Sequence, residues 1–221
     1  MRIFYTIMPT DFILPQLVTP WYIGHEFCGI LYLAPVTSPM PATALQHIRI
    51  HDKEFVIKIS SDEIARRIAE LALQINLDYE GKKPVFLGVL NGSFIFAADL
   101  LRLISLECEV AFIRLSSYHG TYSTGEVKSL LGLSHSITGR NIIILEDIVD
   151  TGETISYLVN ELAGQKPSSM RVAALLFKPT ALKTNVHPDY TGFEVEPDFL
   201  VGYGLDYDGY GRNLKDIYVL K

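Results

Sequence analysis

Residues 142–154 read Ile-Ile-Ile-Leu-Glu-Asp-Ile-Val-Asp-Thr-Gly-Glu-Thr, and this segment constrains the architecture of the chain more tightly than any other. Its apolar run, Ile142–Leu145, is typical of a strand that is buried on both faces of a sheet. Two adjacent acids follow, Glu146 and Asp147, and a short polar loop then leads to a helical pattern that begins at Thr154. The segment therefore predicts a strand, a loop and a helix in succession, with the acids where the strand ends.

The loop after the acids contains the groups that bind a phosphate. The N terminus of a helix points free backbone N–H groups and the positive end of its dipole at one spot. Thr151 and Thr154 add hydroxyl donors, and Gly152 allows the backbone to approach a ligand closely. The loop is thus suited to a phosphate group.

The acids need a separate explanation, because carboxylates repel phosphate. Vicinal hydroxyls and a hydrated Mg²⁺ are ligands that carboxylates bind well. Phosphoribosyl pyrophosphate presents a phosphate, a cis-diol and a metal-binding pyrophosphate, so it matches both halves of the segment. A turn between a strand and a helix, in which the acids only cap the helix, accounts for the same residues almost as well.

Apolar patterns on both sides extend the same architecture. Buried strands are predicted at Val85–Leu90, Val110–Leu115 and Val172–Phe177, and helices at Phe94–Ile104 and Thr154–Ala163. Strands that alternate with helices predict an α/β fold with a mainly parallel sheet flanked by helices. Ligands of such sheets bind beyond the carboxyl ends of the strands. That rule selects four loops, which are Asn91–Ser93, Ser116–Lys128, Glu146–Glu153 and Lys178–Leu182.

A different pattern precedes these strands. Two short strands are predicted at His47–Ile50 and Glu54–Ile57, on either side of a polar turn. Ser60 and Glu63 then have the spacing of a capping box, in which each side chain accepts a hydrogen bond from the backbone of the other. Apolar residues at helical spacing follow, so a helix is predicted to run to about Leu77.

Composition excludes several classes of protein. The net charge of −6 argues against a nucleic-acid partner. Two cysteines, Cys28 and Cys108, supply no disulfide framework or CxxC metal cluster, which favours a reducing cytoplasm. The apolar runs are shorter than the ~20 residues that span a bilayer. A dinucleotide-binding dehydrogenase is disfavoured, since no GxGxxG motif opens a helix.

The first 45 residues differ from the rest of the chain. They contain three charged residues but six of the eleven prolines. We interpret residues 1–45 as an atypical appendage to a domain of residues 46–221, and Met40 as a plausible alternative start of translation.

Residues 146–154 resemble the phosphoribosyl pyrophosphate-binding motif of type I phosphoribosyltransferases. Four further segments are similar to the hypoxanthine (guanine) phosphoribosyltransferase family within that group: Ser116-Ser117-Tyr118, Ser123-Thr124-Gly125-Glu126, Leu175-Leu176-Phe177-Lys178 and Val201-Gly202-Tyr203-Gly204-Leu205-Asp206-Tyr207. The resemblance runs in order from about residue 47 to the C terminus. It implies the type I phosphoribosyltransferase fold, with a small hood and a mobile lid loop.

The resemblance also implies an activity. The family salvages purines with Mg²⁺: it transfers the 5-phosphoribosyl group from phosphoribosyl pyrophosphate to hypoxanthine and/or guanine, giving IMP or GMP and pyrophosphate. It implies a homodimer or homotetramer, with no nucleic acid or membrane among the partners.

The same resemblance assigns roles to individual residues. Asp150 is the expected catalytic residue, a general base at N7 of the purine. Lys178 is expected to donate to the purine O6, Phe199 to stack on the base, and Arg212 to contact pyrophosphate. The expected metal-side carboxylates are Glu146, Asp147 and Asp206. The residues expected to bind substrate are Asn91, Gly92, Ser117, Tyr118, Glu146, Asp147, Thr151, Gly152, Glu153, Thr154, Lys178, Phe199, Leu200, Val201 and Arg212.

Each assignment has a simpler alternative. Lys178 could be a solvated strand terminus, Phe199 a core residue, and Asp206 an exposed acid in a turn. The loop Ser116–Lys128, which the resemblance makes a lid over the reacting centre, could be an exposed hairpin. A regulator that shares the fold but performs no turnover is the alternative for the whole chain. The acidic net charge and the presence of Tyr118, with Asp150 and Lys178, favour an enzyme.

This chain departs from the family pattern at two positions. Many members have a lysine where Asn91 stands, and some have one where Glu153 stands, so less positive charge surrounds the phosphates here. The resemblance also predicts a cis peptide bond between Leu90 and Asn91.

A truncation tests the domain boundary. A chain that starts at Met40 should match the full-length protein in melting temperature, oligomer size and turnover, because five prolines before that residue interrupt regular structure. Differential scanning calorimetry, light scattering and a turnover assay on both chains make the comparison. A lower melting temperature or a lower rate of the truncated chain would show that the appendage packs on the domain.

Overall fold

The computed structural model describes residues 47–114 and 136–221. The predictions for residues 1–46, for the loop Ser116–Lys128 with Ser117 and Tyr118, and for the end of a strand at Leu115 lie outside the described residues.

Nine strands, three α-helices and one short 3-10 helix make up the described residues. In chain order they are β1 (His47–Ile50), β2 (Lys53–Ile59), α1 (Ser61–Asp78), β3 (Val85–Leu90), α2 (Phe94–Leu101), β4 (Glu109–Arg114), β5 (Asn141–Val149), α3 (Glu153–Ala163), β6 (Ser169–Phe177), the 3-10 helix Pro179–Ala181, β7 (Tyr190–Glu194), β8 (Leu200–Val201) and β9 (Ile217–Leu220). None of the helices among these residues is both long and apolar enough to cross a membrane.

The larger sheet has five parallel strands in the order β4-β3-β5-β6-β7. Alternate residues of its strands face opposite sides, as in β3, where Phe86 joins the core cluster of α1 and α2 while Leu87 joins that of α3. Both faces are therefore covered, which explains why the strands read as continuous apolar runs. The predicted α/β fold with a parallel sheet flanked by helices is confirmed.

Helix α1 begins at the predicted capping box. The Ser60 N–H donates to Glu63 Oε2 over 3.0 Å, and the Glu63 N–H donates to Ser60 Oγ over 3.4 Å. Its apolar stripe is buried against the sheet and consists of Ile64, Ile68, Leu71, Ala72 and Ile75. Local capping and the buried stripe thus act together to fix this helix.

A second, smaller sheet is antiparallel, in the order β1-β2-β9-β8. Phe55, Val201 and Tyr218 form its own small core. The C-terminal strand completes this sheet by pairing with both β2 and β8. This sheet is the hood expected from the resemblance.

Three predicted boundaries are wrong by three residues or more, the first being the start of β6, which lies at Ser169 rather than at Val172. Strand β5 does not end before the acids but continues to Val149, because β6 offers a partner along its whole length and pairs with Glu146 through Ala174. The loop predicted for Glu146–Glu153 therefore begins only at Asp150. Helix α2 ends at Leu101 rather than at Ile104.

Candidate active site

Loops from three neighbouring strands meet at one edge of the parallel sheet. Strands β3, β5 and β6 lie side by side, and their carboxyl ends lead into the segments that start at Asn91, Asp150 and Lys178. The Lys178 N–H donates to the backbone oxygen of Val149 over 2.9 Å, which joins two of these segments directly. The loops selected from the sequence at the ends of these three strands are thus adjacent in space.

Two buried carboxyls lie at the end of β5. Glu146 and Asp147 are both buried, and Glu146 Oε2 has no hydrogen-bond partner within the described residues. Burial, and then the adjacent Asp147 charge, raise the pKa of Glu146 well above its ordinary value. An unpartnered buried oxygen costs stability, which makes Glu146 Oε2 a candidate contact for a ligand.

Asp147 is in a similar state. Burial is the main cause that raises its pKa to about 6, and the nearby Asp206 charge adds to it. Backbone N–H groups and Arg212 act in the opposite direction. The Asp147 carboxylate packs against the backbone of Gly92, where an added Cβ atom would collide with it. The acid and the loop after β3 therefore form one surface.

The loop after β3 contains the cis peptide bond predicted between Leu90 and Asn91. Asn91 is exposed, whereas Gly92 is buried between Asp147 and the backbone of Gly204. Ser93 is also buried, and its hydroxyl donates to the backbone oxygen of Val89 over 2.7 Å. This loop thus presents backbone rather than charged side chains to the acids.

Lys178 and Asp150 form an ion pair. Lys178 Nζ donates to Asp150 Oδ2 over 2.7 Å. Lys178 is only 6% exposed, so the alternative of a solvated strand terminus is wrong. The Asp150 side chain is half exposed and faces the same edge. The pairing was not predicted, because these residues are distant in the sequence and only the adjacency of β5 and β6 brings them together.

The phosphate-loop residues lie at the N terminus of α3. Gly152 has a φ of 78°, a left-handed conformation that glycine adopts readily. The backbone oxygen of Thr151 accepts from the Lys183 N–H over 2.9 Å. A Cβ atom on Gly152 would stand 2.5 Å from Thr184 Oγ1. Lys183 and Thr184 therefore support the loop, a role that the sequence analysis missed because the predicted loop ended at Leu182.

Glu153 and Thr154, the last two of the phosphate-loop residues, are exposed. Lys183 Nζ lies 3.9 Å from Glu153 Oε1. Both of these side chains are exposed, so their attraction is screened by solvent and contributes little to stability. The Glu153 carboxylate, one of the two departures from the expected family pattern, thus has a cation nearby.

Phe199 stands at the hood side of the site. It is 43% exposed, so the alternative of a core phenylalanine is wrong. Its ring contacts Tyr207 edge-on at a centroid distance of 5.7 Å, and Lys53 Nζ lies 5.3 Å from its centroid. Leu200 and Val201, by contrast, are buried in β8. An exposed aromatic face next to strand backbone is suited to a flat ligand.

Asp206 and Arg212 form an ion pair over 2.5 Å. Arg212 also donates to the backbone oxygen of Gly204 over 2.6 Å, and Asp206 accepts from the Gly209 N–H over 2.7 Å. Asp206 is therefore an organised carboxylate rather than a free acid in a turn. The described residues hold no group of three or more His, Cys, Asp or Glu side chains arranged for a metal ion.

Comparisons with known proteins agree with this geometry. Residues 60–208 match the family model described as phosphoribosyl transferase domain. The chain is 44% identical over 172 residues to the hypoxanthine-guanine phosphoribosyltransferase of Bacillus subtilis, covering 77% of this chain and 95% of that protein. It is 41% identical over 173 residues to the bifunctional protein TilS/HprT of Listeria monocytogenes, covering 78% of this chain; it spans only 27% of that protein.

Solved structures give the same result. A hypoxanthine-guanine phosphoribosyltransferase from Bacillus anthracis, with a HEPES molecule in its active site, superimposes with a TM-score of 0.69 at 39% identity, covering 75% of this chain and 96% of that one. A hypoxanthine phosphoribosyltransferase from Staphylococcus aureus superimposes with a TM-score of 0.70 at 38% identity, covering 75% and 90%.

The raised pKa of Asp147 predicts a stability gain on neutralisation. Its folded-state value of about 6 exceeds the ordinary 3.8, so the protonated form favours folding. That contribution is fully present below the unfolded pKa and is lost as the pH rises through the folded one. Asp147→Asn, which cannot ionise, should therefore exceed the wild type in free energy of unfolding at about pH 8, by on the order of 1–3 kcal/mol.

Urea denaturation of the free protein measures this difference. The gain should be smaller at about pH 5, where part of the wild-type Asp147 is protonated. Glu80→Gln, at an exposed acid after α1, is the control and should show no such gain. An Asp147→Asn protein no more stable than the wild type at the higher pH contradicts the prediction.

Proposed function

The chain belongs to the hypoxanthine-guanine phosphoribosyltransferase family, and we propose that it transfers the 5-phosphoribosyl group from phosphoribosyl pyrophosphate to hypoxanthine and/or guanine, giving IMP or GMP and pyrophosphate. One observation carries the proposal: Lys178 Nζ lies 2.7 Å from Asp150 Oδ2, beside the phosphate loop. A donor suited to the purine O6 and an acceptor suited to a ring N–H are thus adjacent. The reaction is one of purine salvage.

The base binds between the hood and the Lys178–Asp150 pair. Lys178 donates to O6, and Phe199 stacks on the ring with its exposed face. The backbone of Leu200 or Val201 meets the edge of the base. Burial of Lys178 favours this role, because a buried ammonium needs acceptors and the purine oxygen supplies one.

The sugar phosphate binds along α3 and β5. The free N–H groups at the start of α3, with the Thr151 and Thr154 hydroxyls, hold the 5-phosphate. Glu146 and Asp147 accept the ribose hydroxyls, which supplies the partner that Glu146 Oε2 lacks. Their negative charge favours the cationic character that the ribose ring develops when pyrophosphate leaves.

The pyrophosphate half of the site lies between the Gly92 loop and Arg212. Arg212 and backbone N–H groups at Asn91 and Gly92 contact the leaving group. We propose that the divalent cation of this family is Mg²⁺ here, held by Asp206 and the Glu146–Asp147 pair together with substrate oxygens. Mg²⁺ fits oxygen ligands of this kind, and because the described acids form no ready-made group of three, substrate phosphate oxygens would complete its coordination. When bound, it neutralises charge on the departing pyrophosphate.

Asp150 handles the proton. The purine N9 forms a bond to the anomeric carbon while the bond from that carbon to pyrophosphate breaks. The proton on N7 passes to Asp150, whose exposed carboxylate becomes available when Lys178 turns to O6. Ser117 and Tyr118, in the loop Ser116–Lys128, close over the reacting centre and exclude water.

The setting of the enzyme is also proposed. We propose that the protein is cytoplasmic, since it has only two cysteines. Its proposed partners are phosphoribosyl pyrophosphate and a purine base, with no nucleic acid or membrane, and the net charge of −6 supports the absence of nucleic acid. We propose a homodimer or homotetramer formed by the domain of residues 46–221, with residues 1–45 as an appendage.

An activity assay tests the proposal. The purified chain should convert hypoxanthine or guanine to the nucleotide with release of pyrophosphate, and chelation of divalent cations should abolish turnover. Coupled detection of pyrophosphate, with adenine as the control base, measures it. Nucleotide binding without turnover would instead indicate the regulator considered above.

Asp150→Asn isolates the proton transfer. The change keeps the shape of the side chain and removes the base, so kcat should fall roughly 10²- to 10⁴-fold. Affinity for phosphoribosyl pyrophosphate should remain, because the phosphate loop is intact. Steady-state kinetics and isothermal titration calorimetry measure the two effects. A rate close to that of the wild type would leave Asp150 only an orienting role.

Lys178→Met should act on the base instead. The change removes the donor to O6 and keeps an apolar stem, so the KM for hypoxanthine should rise while that for phosphoribosyl pyrophosphate changes little. Lys83→Met, at an exposed lysine that pairs with Glu107, is the matched control. Equal effects on both substrates would contradict the assignment.

A further inference from the structure

The turn after β8 has an unfavourable backbone conformation at a tyrosine. Gly202 and Leu205 exchange two backbone hydrogen bonds of 3.1 Å, which closes a two-residue turn. Its central residues, Tyr203 and Gly204, have φ values of 49° and 101°. Glycine or asparagine is the usual residue at the first of these positions, because a left-handed φ is costly for a side chain with a Cβ atom. An outlier of this kind indicates that the side chain has a compensating function.

The Tyr203 side chain ties the turn to α2. The residue is 6% exposed, and its hydroxyl donates to Asp99 Oδ2 over 2.5 Å. Burial, followed by the bond to Asp99, raises the pKa of the Tyr203 phenol, so the hydroxyl stays protonated and donates. The other oxygen of Asp99 lies 4.0 Å from Arg102. One hydrogen bond therefore joins the turn to the second half of α2.

Helix α2 begins directly after the loop Asn91–Ser93. The turn contacts that loop as well, since a Cβ atom on Gly204 would collide with the backbone oxygen of Gly92. On its other side, the Gly204 N–H donates to the Arg212 backbone oxygen over 2.9 Å, and Arg212 holds Asp206. The turn thus lies between the loop after β3 and the Asp206–Arg212 pair.

We propose that Tyr203 is a positioning residue, and that its hydrogen bond to Asp99 holds Asp206 and Arg212 against the Gly92 loop and so sets the affinity for the pyrophosphate half of the substrate. The inference rests on the proposed function and deepens it. Two contacts fix the turn to the segment 91–101: Gly204 packs on Gly92 in the loop, and Tyr203 bonds to Asp99 in α2. Without the Tyr203–Asp99 bond, the turn can tilt about the contact between Gly204 and Gly92. The Arg212 guanidinium and the Asp206 carboxylate then move with it.

Tyr203→Phe tests the inference by removing only the hydroxyl. The KM for phosphoribosyl pyrophosphate, and for pyrophosphate in the reverse reaction, should rise roughly 5- to 20-fold, and the cation concentration needed for half-maximal rate should rise with it. The KM for hypoxanthine should change less than about twofold, because Leu200 and Val201 are held by their pairing with β9 and not by the Tyr203 bond.

Asp99 supplies a second pair of variants. Asp99→Ala should reproduce the effect of Tyr203→Phe, and it is expected to fold because the Asp99 side chain is 45% exposed. Asp99→Asn keeps an oxygen that accepts from the tyrosine hydroxyl, so its effect on the KM for phosphoribosyl pyrophosphate should be the smaller of the two. Equal effects of the alanine and asparagine variants would overturn the proposal.

Tyr190→Phe is the matched control. Its hydroxyl donates to Asp78 Oδ2 over 2.7 Å and ties β7 to α1, so it is also a buried tyrosine that bonds to an aspartate of a helix. Both substitutions should lower the melting temperature by similar amounts, but Tyr190→Phe should leave the KM for phosphoribosyl pyrophosphate unchanged. Similar KM values for phosphoribosyl pyrophosphate in the two variants would show that the Tyr203 bond contributes only to stability.

Amide hydrogen exchange provides a readout that does not depend on turnover. In Tyr203→Phe, exchange should accelerate at residues 203–209 and at residues 91–93, and in Tyr190→Phe it should not. Unchanged exchange at both segments would overturn the positioning role. A wild-type protein that shows no turnover and no binding of phosphoribosyl pyrophosphate by calorimetry would contradict the proposed function instead. Hydrogen exchange would still test whether the Tyr203–Asp99 bond holds the turn.

Discussion

Two adjacent carboxyls buried on one strand are the constraint on which the rest of this structure depends. Strand β5 lies in the middle of the parallel sheet, and its apolar part pairs with strands on both sides. Glu146 and Asp147 continue that strand into the site, where burial opposes their ionisation. The apolar half of β5 supplies the packing that holds the acidic half in place. The protein accepts a less stable free state in exchange for acceptors that are already oriented.

The architecture explains how distant segments meet around these acids. Because β3, β5 and β6 are parallel neighbours, their following loops emerge at the same edge, and each loop contributes one kind of group. The loop after β3 contributes backbone at Gly92, that after β5 a helix N terminus, and that after β6 a buried lysine. The hood adds Phe199 and, through a glycine-rich turn, the ion pair of Asp206 with Arg212. Under the proposed function, the binding of sugar, base and leaving group is thus divided among separate elements of the fold.

Periodicity predicted most of this fold but not its finest contacts. The bounds of β3, the capping box of α1 and the position of Lys178 at a strand end follow from local patterns, and local patterns are what a sequence displays. The extension of β5 through Glu146 was missed because a strand partner, not hydrophobicity, continues it. The hydrogen bond from Tyr203 to Asp99 was not predicted, because the neighbouring glycines suggest only a turn and Asp99 lies on a different element, α2. The roles of the site residues came from family resemblance, since spacing alone left a simple helix cap as an alternative.

The contact between Gly92 and Gly204 has a consequence for how this enzyme can diverge. A side chain at either position would enter space that a backbone oxygen or the Asp147 carboxylate already fills. A surface formed by glycine backbone cannot change gradually, because every substitution of a glycine adds at least a Cβ atom. Evolutionary change around Gly92 and the N terminus of α3 is therefore confined to side chains at the margin of these loops. Asn91 and Glu153, the two positions at which the sequence departs from the expected family pattern, are both exposed and stand at that margin.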